Sequence, residues 1–419
     1  MPFPSPSLDV MSFLSLFFDT MSFVSFVFPP MLGYFVMAVL AITPKTHTLR
    51  MALWLVVALL TLRATVYVEI SSDEPDKKAR NTFLLVVSIP SILALRKVTI
   101  CQVSMFLITA CTFDWTLQKE PFVRHLCHAK SPRSIIMDAL DLATTMRGDG
   151  WDWSRGVYIP RETRPTDRKG FAFHVVLSTT FHSLISGIFH NALILISPAG
   201  FGSPSGESIF DETLPFHAKY LRASVISALT VVAIYAGIQT WYDTCTIIGV
   251  FILGQDPAQW PPAFDSPWRA TSLSELWGRR WHQFFRRLFI VQGGYPFSLV
   301  LGKAGLIIGT FLCSGFLHHM EVLLFKDGEE PWRLLVGFGM MGVVVLAERM
   351  FKQVTGRKVG GVVGWIWTMG WLLVLGNFII DAFARGGVFG HFGLVQGAVP
   401  GRDMMQRWVT NFDAWLHAI

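Results

Sequence analysis

Apolar positions along this chain come in long unbroken runs rather than in the stripes of a soluble amphipathic helix. The runs lie at about 31–43, 51–70, 82–114, 171–197, 223–253, 296–320, 333–348 and 361–382. Several reach the roughly 20 residues that a helix needs to cross a bilayer. The pattern predicts an all-α, polytopic integral membrane protein with about eight transmembrane helices and interfacial helices between them. Pro90, Arg96 and Lys97 interrupt the third run. It reads as a kinked span, a span plus an interfacial piece, or two helices. The fifth run is long enough to tilt strongly or to continue past the bilayer. The first is short unless part of the preceding segment joins it. That segment, residues 1–30, alternates Phe, Ser, Leu and Pro with only Asp9 and Asp19 charged. It lacks the basic start of a cleaved signal peptide and reads as a hydrophobic lead-in. No internal repeat and no broad Ser/Gly linker divides the remainder, so residues 31–419 read as one membrane-embedded domain.

Composition agrees with this class: 52% of residues are hydrophobic, and mean hydropathy is +0.46. The five cysteines are odd in number, and most lie within apolar runs, which argues against a disulfide framework. The net charge of +6 suits basic loops facing anionic lipid and calls for no nucleic acid. Loop charges orient the chain, because cytoplasmic loops are rich in Lys and Arg. Loops 115–170, 254–295 and 349–360 carry the basic residues. Loops 198–222 and 321–332 carry acids, among them Glu207, Asp211, Glu321 and Glu330. With the third run counted once, the alternation predicts eight crossings and both termini on the luminal side.

One stretch departs from the apolar pattern: Ser272-Leu-Ser-Glu-Leu-Trp-Gly-Arg-Arg-Trp-His-Gln-Phe-Phe-Arg-Arg287. Ser272 and Glu275 have the spacing of a capping box, so a helix is expected to start there. At helical pitch Glu275, Arg279, His282 and Arg286 share one face, opposite Trp277, Trp281, Phe284 and Leu288. Glu275 and Arg279 are placed for an ion pair, and Gly293-Gly294 for a stop. A cationic face opposite an aromatic face suits the membrane–water boundary.

The following run contains Ser314-Gly-Phe-Leu-His-His319. An ionisable group inside a span is costly and marks a functional candidate. Ser314 and His318 lie one turn apart, and Gly315 permits close approach of a neighbouring helix. His318 is therefore the expected working residue, with His319 turned to the boundary or orienting the segment. His182 and His190, eight residues apart, either line a polar tunnel or bond between helices. His125, Cys127 and His128 lack a second ligand pair at zinc spacing, so no metal is expected. His217 and His391 read as loop residues. No nucleophile elbow, Walker loop or dinucleotide fingerprint is present.

Trp260-Pro-Pro-Ala-Phe264, Pro267 and the Ser272–Gln283 string resemble the signature of the wax-synthase-like membrane-bound O-acyltransferases. Ser314-Gly-x-x-His318 resembles their catalytic histidine segment. Arg147-Gly-Asp-Gly-Trp151 is similar to their Arg-Gly turn, with Asp149 where an apolar residue is expected. The resemblance covers roughly 135–320, the expected catalytic core. His282 follows the fungal-type members, which include O-acetyltransferases of terpenoids and meroterpenoids. The resemblance implies acyl transfer from acyl-CoA, here acetyl-CoA, to a hydrophobic alcohol in a tunnel through the endoplasmic reticulum membrane, with no bound cofactor.

Under that reading neutral His318 takes the alcohol proton as the oxygen attacks the thioester. His282 donates to the developing oxyanion or orients the acyl group. Trp277, Trp281, Ser314 and Gly315 line the tunnel. Arg279, Arg280, Arg286 and Arg287 meet either the CoA phosphates or anionic lipid. A long-chain wax-ester or sterol acyltransferase is the alternative within this class. A transporter or lipid-binding membrane protein is the alternative outside it, although the paired repeats of a transporter are not seen.

Overall fold

A computed structural model describes residues 23–71, 97–124, 134–145, 147–154, 156–323, 325, 330–391 and 402–419. The described residues form helices and no named strand. Seven of those helices are long and apolar enough to cross a membrane: Val24–Ile42, His47–Thr65, Arg168–Ile196, Phe216–Ile252, Arg286–Leu323, Trp332–Thr355 and Gly361–Arg385. The chain is thus a multi-pass membrane protein. Its spans carry bare apolar side chains outward, with Leu299 88% and Val354 85% exposed, because hydrocarbon rather than water surrounds them. The sequence pattern reads as a single domain; the chain divides into two compact units, Met1–Val123 with Ser131–Thr145, and Arg124–Lys130 with Met146–Ile419.

The first unit contains α1 (Phe28–Ile42), α2 (His47–Ser71), α3 (Lys97–Leu117) and α4 (Ile135–Thr144). A π turn at Phe23–Val27 leads into α1, so the end of the lead-in lengthens the first span. Residues 72–96 lie outside the described residues, and with them the choice between one helix and two for the third apolar run. Arg50 is almost fully buried in this unit. Its guanidinium donates to the carbonyls of Trp115 (2.8 Å), Gln118 (2.8 Å) and Lys119 (3.3 Å). Those carbonyls at the end of α3 have no helical N–H to accept, and the buried cation answers both needs.

The second unit contains α5 (Arg168–Ile196), α6 (Phe216–Ile247), α7 (Tyr295–Leu323), α8 (Trp332–Thr355), α9 (Gly361–Arg385) and α10 (Arg402–Ala418). Asp167 caps α5 by accepting from the Gly170 N–H at 2.7 Å. Helix α6 continues through a π turn at Ile248–Ile252, as the long fifth run allows. His217, expected in a loop, lies in the first turn of α6, and His391 ends a 3-10 turn at Phe389–His391. His125, Cys127 and His128 lie outside the described residues; among those described, no cluster of metal-binding side chains occurs.

The span Arg286–Leu323 is not one straight rod. Gly302, at φ 57° and ψ −135°, breaks it into two arms, in a left-handed region that favours glycine. The arms pack side by side. A methyl group on Gly293 would stand 2.2 Å from the Gly309 carbonyl oxygen, and one on Gly305 would stand 2.1 Å from that of Phe297. Gly293-Gly294, expected to stop a helix, instead lets the two backbones touch.

Candidate active site

The Arg/Trp/His stretch does not lie along a surface. Its residues meet successive points along α7, α8 and α9. Thr271 packs against Gly364 of α9, where a Cβ would come within 2.3 Å of the Thr271 carbonyl oxygen. The Leu273 and Ser274 N–H groups donate to the buried carboxylate of Glu348 on α8, at 2.8 and 2.9 Å. Leu273 and Leu276 are buried in a core cluster with Met341, Val344 and Leu375. Trp277 then meets Phe311 edge to face at 6.2 Å.

Local chemistry explains the path. Ser272 caps the helix as expected, accepting from the Glu275 N–H at 3.0 Å. The expected continuous helix ends early, however. Leu276–Arg280 is a π turn, and Trp281 is extended at φ −79°, ψ 152°. In a π turn residue i meets i+5. Glu275 therefore pairs with Arg280, at 2.7 Å, rather than with Arg279. Gln283 donates to the Trp277 and Trp281 carbonyls, at 3.0 and 2.7 Å, which the broken helix leaves open.

His282 follows this break. Its ring stacks on Phe284 (4.8 Å) and meets Phe264 (5.7 Å) and Trp281 (5.6 Å). Its Nδ1 is buried without a hydrogen-bond partner among the described residues. Burial first, and then the electrostatic influence of His318 and Arg147, push its pKa down to about 3. His282 is neutral at physiological pH. Phe284 is buried in turn against Tyr242, Phe264 and Ala263.

Arg147 holds this aromatic group from behind. It is buried, 4% exposed. It pairs with Asp149 at 3.0 Å and donates to the Pro261 carbonyl (2.8 Å), the Pro262 carbonyl (2.7 Å) and the Tyr242 hydroxyl (3.2 Å). Its guanidinium also lies over the Tyr242 and Phe284 rings. Asp149 replaces an expected apolar residue because a buried cation needs a counter-charge. The glycines of the turn, Gly148 at φ 71° and Gly150 at φ 85°, supply the bends around it.

On α7, His318 stacks on Phe338 at 4.6 Å and meets Phe383 at 5.9 Å. Its Nδ1 lies 2.9 Å from Glu321 Oε2. A carboxylate accepts, so Nδ1 carries the proton and Nε2 keeps its lone pair. Glu321, read from the sequence as a loop acid, lies within the helix at i+3. That spacing is visible in the sequence; the helix reaching so far is not. His319, expected at the boundary or orienting the segment, is the more buried neighbour at 6% exposure. Ser314 is buried, and Gly315 packs under the Leu334 carbonyl, where a Cβ would stand 2.8 Å away.

The four arginines separate. Arg280 is held by Glu275 and by the Asp265 carbonyl, and Arg286 by Gln283 and the Gly278 carbonyl. Arg287 lies over Trp153. Arg279 is exposed and lies over the Tyr158 ring at 5.5 Å. Trp277 and Trp281 meet each other at 6.0 Å, and the Trp277 indole N–H is buried with no acceptor among the described residues.

A family model described as membrane bound O-acyl transferase matches residues 260–342, which hold His282, both arms of the hairpin and His318. The acetyltransferase ple2 of Rhodocybe pseudopiperita is 26% identical over 64% of this chain and 74% of its own. The O-Mevalon transferase yanI of Aspergillus niger is 26% identical over 43% of this chain and 44% of its own. A long-chain-alcohol O-fatty-acyltransferase of Simmondsia chinensis is 28% identical over 41% of this chain and 51% of its own. The chain thus spans about half the length of the last two relatives. With its multi-pass helices and two histidines in one electrostatic neighbourhood, the chain is similar to the membrane bound O-acyl transferase family over residues 260–342.

Proposed function

We propose that this acyltransferase moves an acetyl group from acetyl-CoA to a hydroxyl of a hydrophobic alcohol, a terpenoid or meroterpenoid of secondary metabolism, in the endoplasmic reticulum membrane. The observation that carries the chemistry is the unequal pair: His318 with a basic Nε2 and a carboxylate on Nδ1, beside a His282 that stays neutral. His318 Nε2 accepts the alcohol proton as the alcohol oxygen bonds to the thioester carbon. The carbon–sulfur bond breaks, and the proton passes from His318 to the departing thiolate. A histidine with a pKa near 3 is too weak a base for this step, but its N–H remains a donor. That property supports His282 as the donor to the oxyanion. Trp277 and Trp281 line the acyl path. Arg279 is the arginine best suited to the CoA phosphates, since Arg280 and Arg286 are held internally. The similarity to ple2, which extends over more of both chains than the other two, favours the short acyl group. The plant relative keeps the long-chain reading as the second choice.

The test is thiol release from acetyl-CoA by purified membranes given a panel of terpenoid alcohols and hexadecan-1-ol. His318→Ala is expected to lose at least about 100-fold in kcat at normal expression. His282→Asn, which keeps a donor, is expected to retain part of the activity. Full activity in His318→Ala removes His318 from the chemistry, and alcohol-dependent release only with hexadecan-1-ol selects the long-chain reading.

A further inference from the structure

Helices α5 and α6 carry a buried polar group that the acyl-transfer chemistry does not use. Asp243 is 2% exposed. Its Oδ2 accepts from the Ser178 hydroxyl at 2.6 Å, and its Oδ1 from the Gln239 amide at 2.8 Å. His182 lies one turn beyond Ser178, with its Nδ1 2.8 Å from the Ser178 carbonyl oxygen. A carbonyl only accepts, so the proton sits on Nδ1 and Nε2 is an acceptor. No protein donor meets that Nε2 among the described residues, and neighbouring Tyr235, whose ring meets His182 edge to face, has no hydroxyl partner among them either.

Three uses are conceivable for such a group within a membrane. A proton path is one, but ester formation returns the alcohol proton to the thiol and leaves none to conduct. Helix pairing is another, and the Ser178–Asp243 bond serves it. His182 does not, because its hydrogen bonds both return to its own helix. Recognition is the third. Two rings separate His182 from the site: His182 meets Tyr235 at 5.7 Å, Tyr235 meets Phe264 at 4.7 Å, and Phe264 meets His282 at 5.7 Å. An apolar wall bearing a few convergent polar groups is how ligands are oriented.

We propose that His182, held by Ser178, which Asp243 and Gln239 brace, and the adjacent Tyr235 form a second polar subsite that receives a remote hydroxyl of the acceptor alcohol. A hydroxyl fits because it donates to His182 Nε2 and accepts from Tyr235 O–H at once; a carbonyl does only the second. The preferred acceptor is therefore a hydrophobic diol whose far hydroxyl is bound while the near one is acylated. This rests on the acyl-transfer reading and extends it to substrate class.

The experiment compares matched terpenoid pairs, betulin with lupeol among them, on the full-length protein in detergent. Binding is read as the rise in thermal midpoint without acyl donor, and turnover as thiol release. In the wild type each favoured diol stabilises more than its mono-ol and has the lower KM. His182→Phe and Asp243→Asn are expected to lower the diol-over-mono-ol preference at least tenfold. An unchanged preference, no stabilisation by any diol, or loss of the folded species in both variants overturns the subsite; the last assigns the cluster to helix pairing. Diol binding without any thiol release leaves the subsite standing and removes the acyl-transfer reading instead.

Discussion

His318 and His282 are the same residue type with opposite assignments, and their surroundings decide which does what. Glu321 fixes the proton of His318 on Nδ1 and leaves Nε2 with its lone pair, the atom that the proposed chemistry uses as base. Glu321→Gln is expected to lower kcat by about 10- to 100-fold with little change in KM, because the ring loses its orientation and its tautomer is no longer set. A raised KM with kcat unchanged, measured by thiol release, would argue for a binding role instead. For His282 the folded pKa is about 3, against roughly 6.5 in an unfolded chain. Between those values the unfolded chain binds the extra proton, so this residue's share of stability falls as pH falls. The wild-type thermal midpoint is expected to drop more from pH 7 to pH 5 than that of His282→Asn, by up to about 1.4 kcal/mol per pH unit in stability. Parallel midpoint curves would show that His282 titrates normally.

At the scale of elements, the site depends on a short helix drawn into the bundle and on a hairpin beside it. Glu348 receives the first two N–H groups of that helix and also the Trp367 indole N–H, at 3.1 Å. A carboxylate there satisfies buried donors and complements the helix N-terminus. Glu348→Leu leaves those donors unpaired and is expected to cost about 2–4 kcal/mol, with activity falling as His282 loses its position. The hairpin offers a cleaner contrast. Gly309→Ala drives a methyl group to 2.4 Å from the Gly293 carbonyl oxygen, whereas Gly376→Ala meets nothing within 4 Å. Activity and thermal midpoint are expected to fall for Gly309→Ala and to hold for Gly376→Ala. Equal behaviour of the two variants would mean that the arms do not need contact.

At the scale of the molecule, the loop charges assign sides to the membrane. Residues 349–360 face the cytoplasm and 198–222 the lumen under that rule. An N-glycosylation acceptor inserted at 204–206 is therefore expected to be modified in cells, and one inserted at 356–358 to remain bare. The reverse pattern on a mobility gel inverts the orientation.

Much of this architecture is local in origin and so was legible along the chain. Span positions follow from the solvation of contiguous side chains, and the Ser272 cap from a hydrogen bond three residues long. The misreadings were of another kind. The helix after Ser272 ends where a π turn gives Arg280 to Glu275, and Gly293 serves packing rather than termination, because Gly309 stands opposite. Asp149 looked out of place until Arg147 supplied its partner. The sequence by itself determined that the chain lives in a bilayer and where most of its helices run. Only the tertiary structure decided that the polar stretch turns inward, that Glu321 sets the tautomer of His318, and that His282 stays neutral. Desolvation and close backbone contact arise between segments distant in sequence, and no local pattern encodes them.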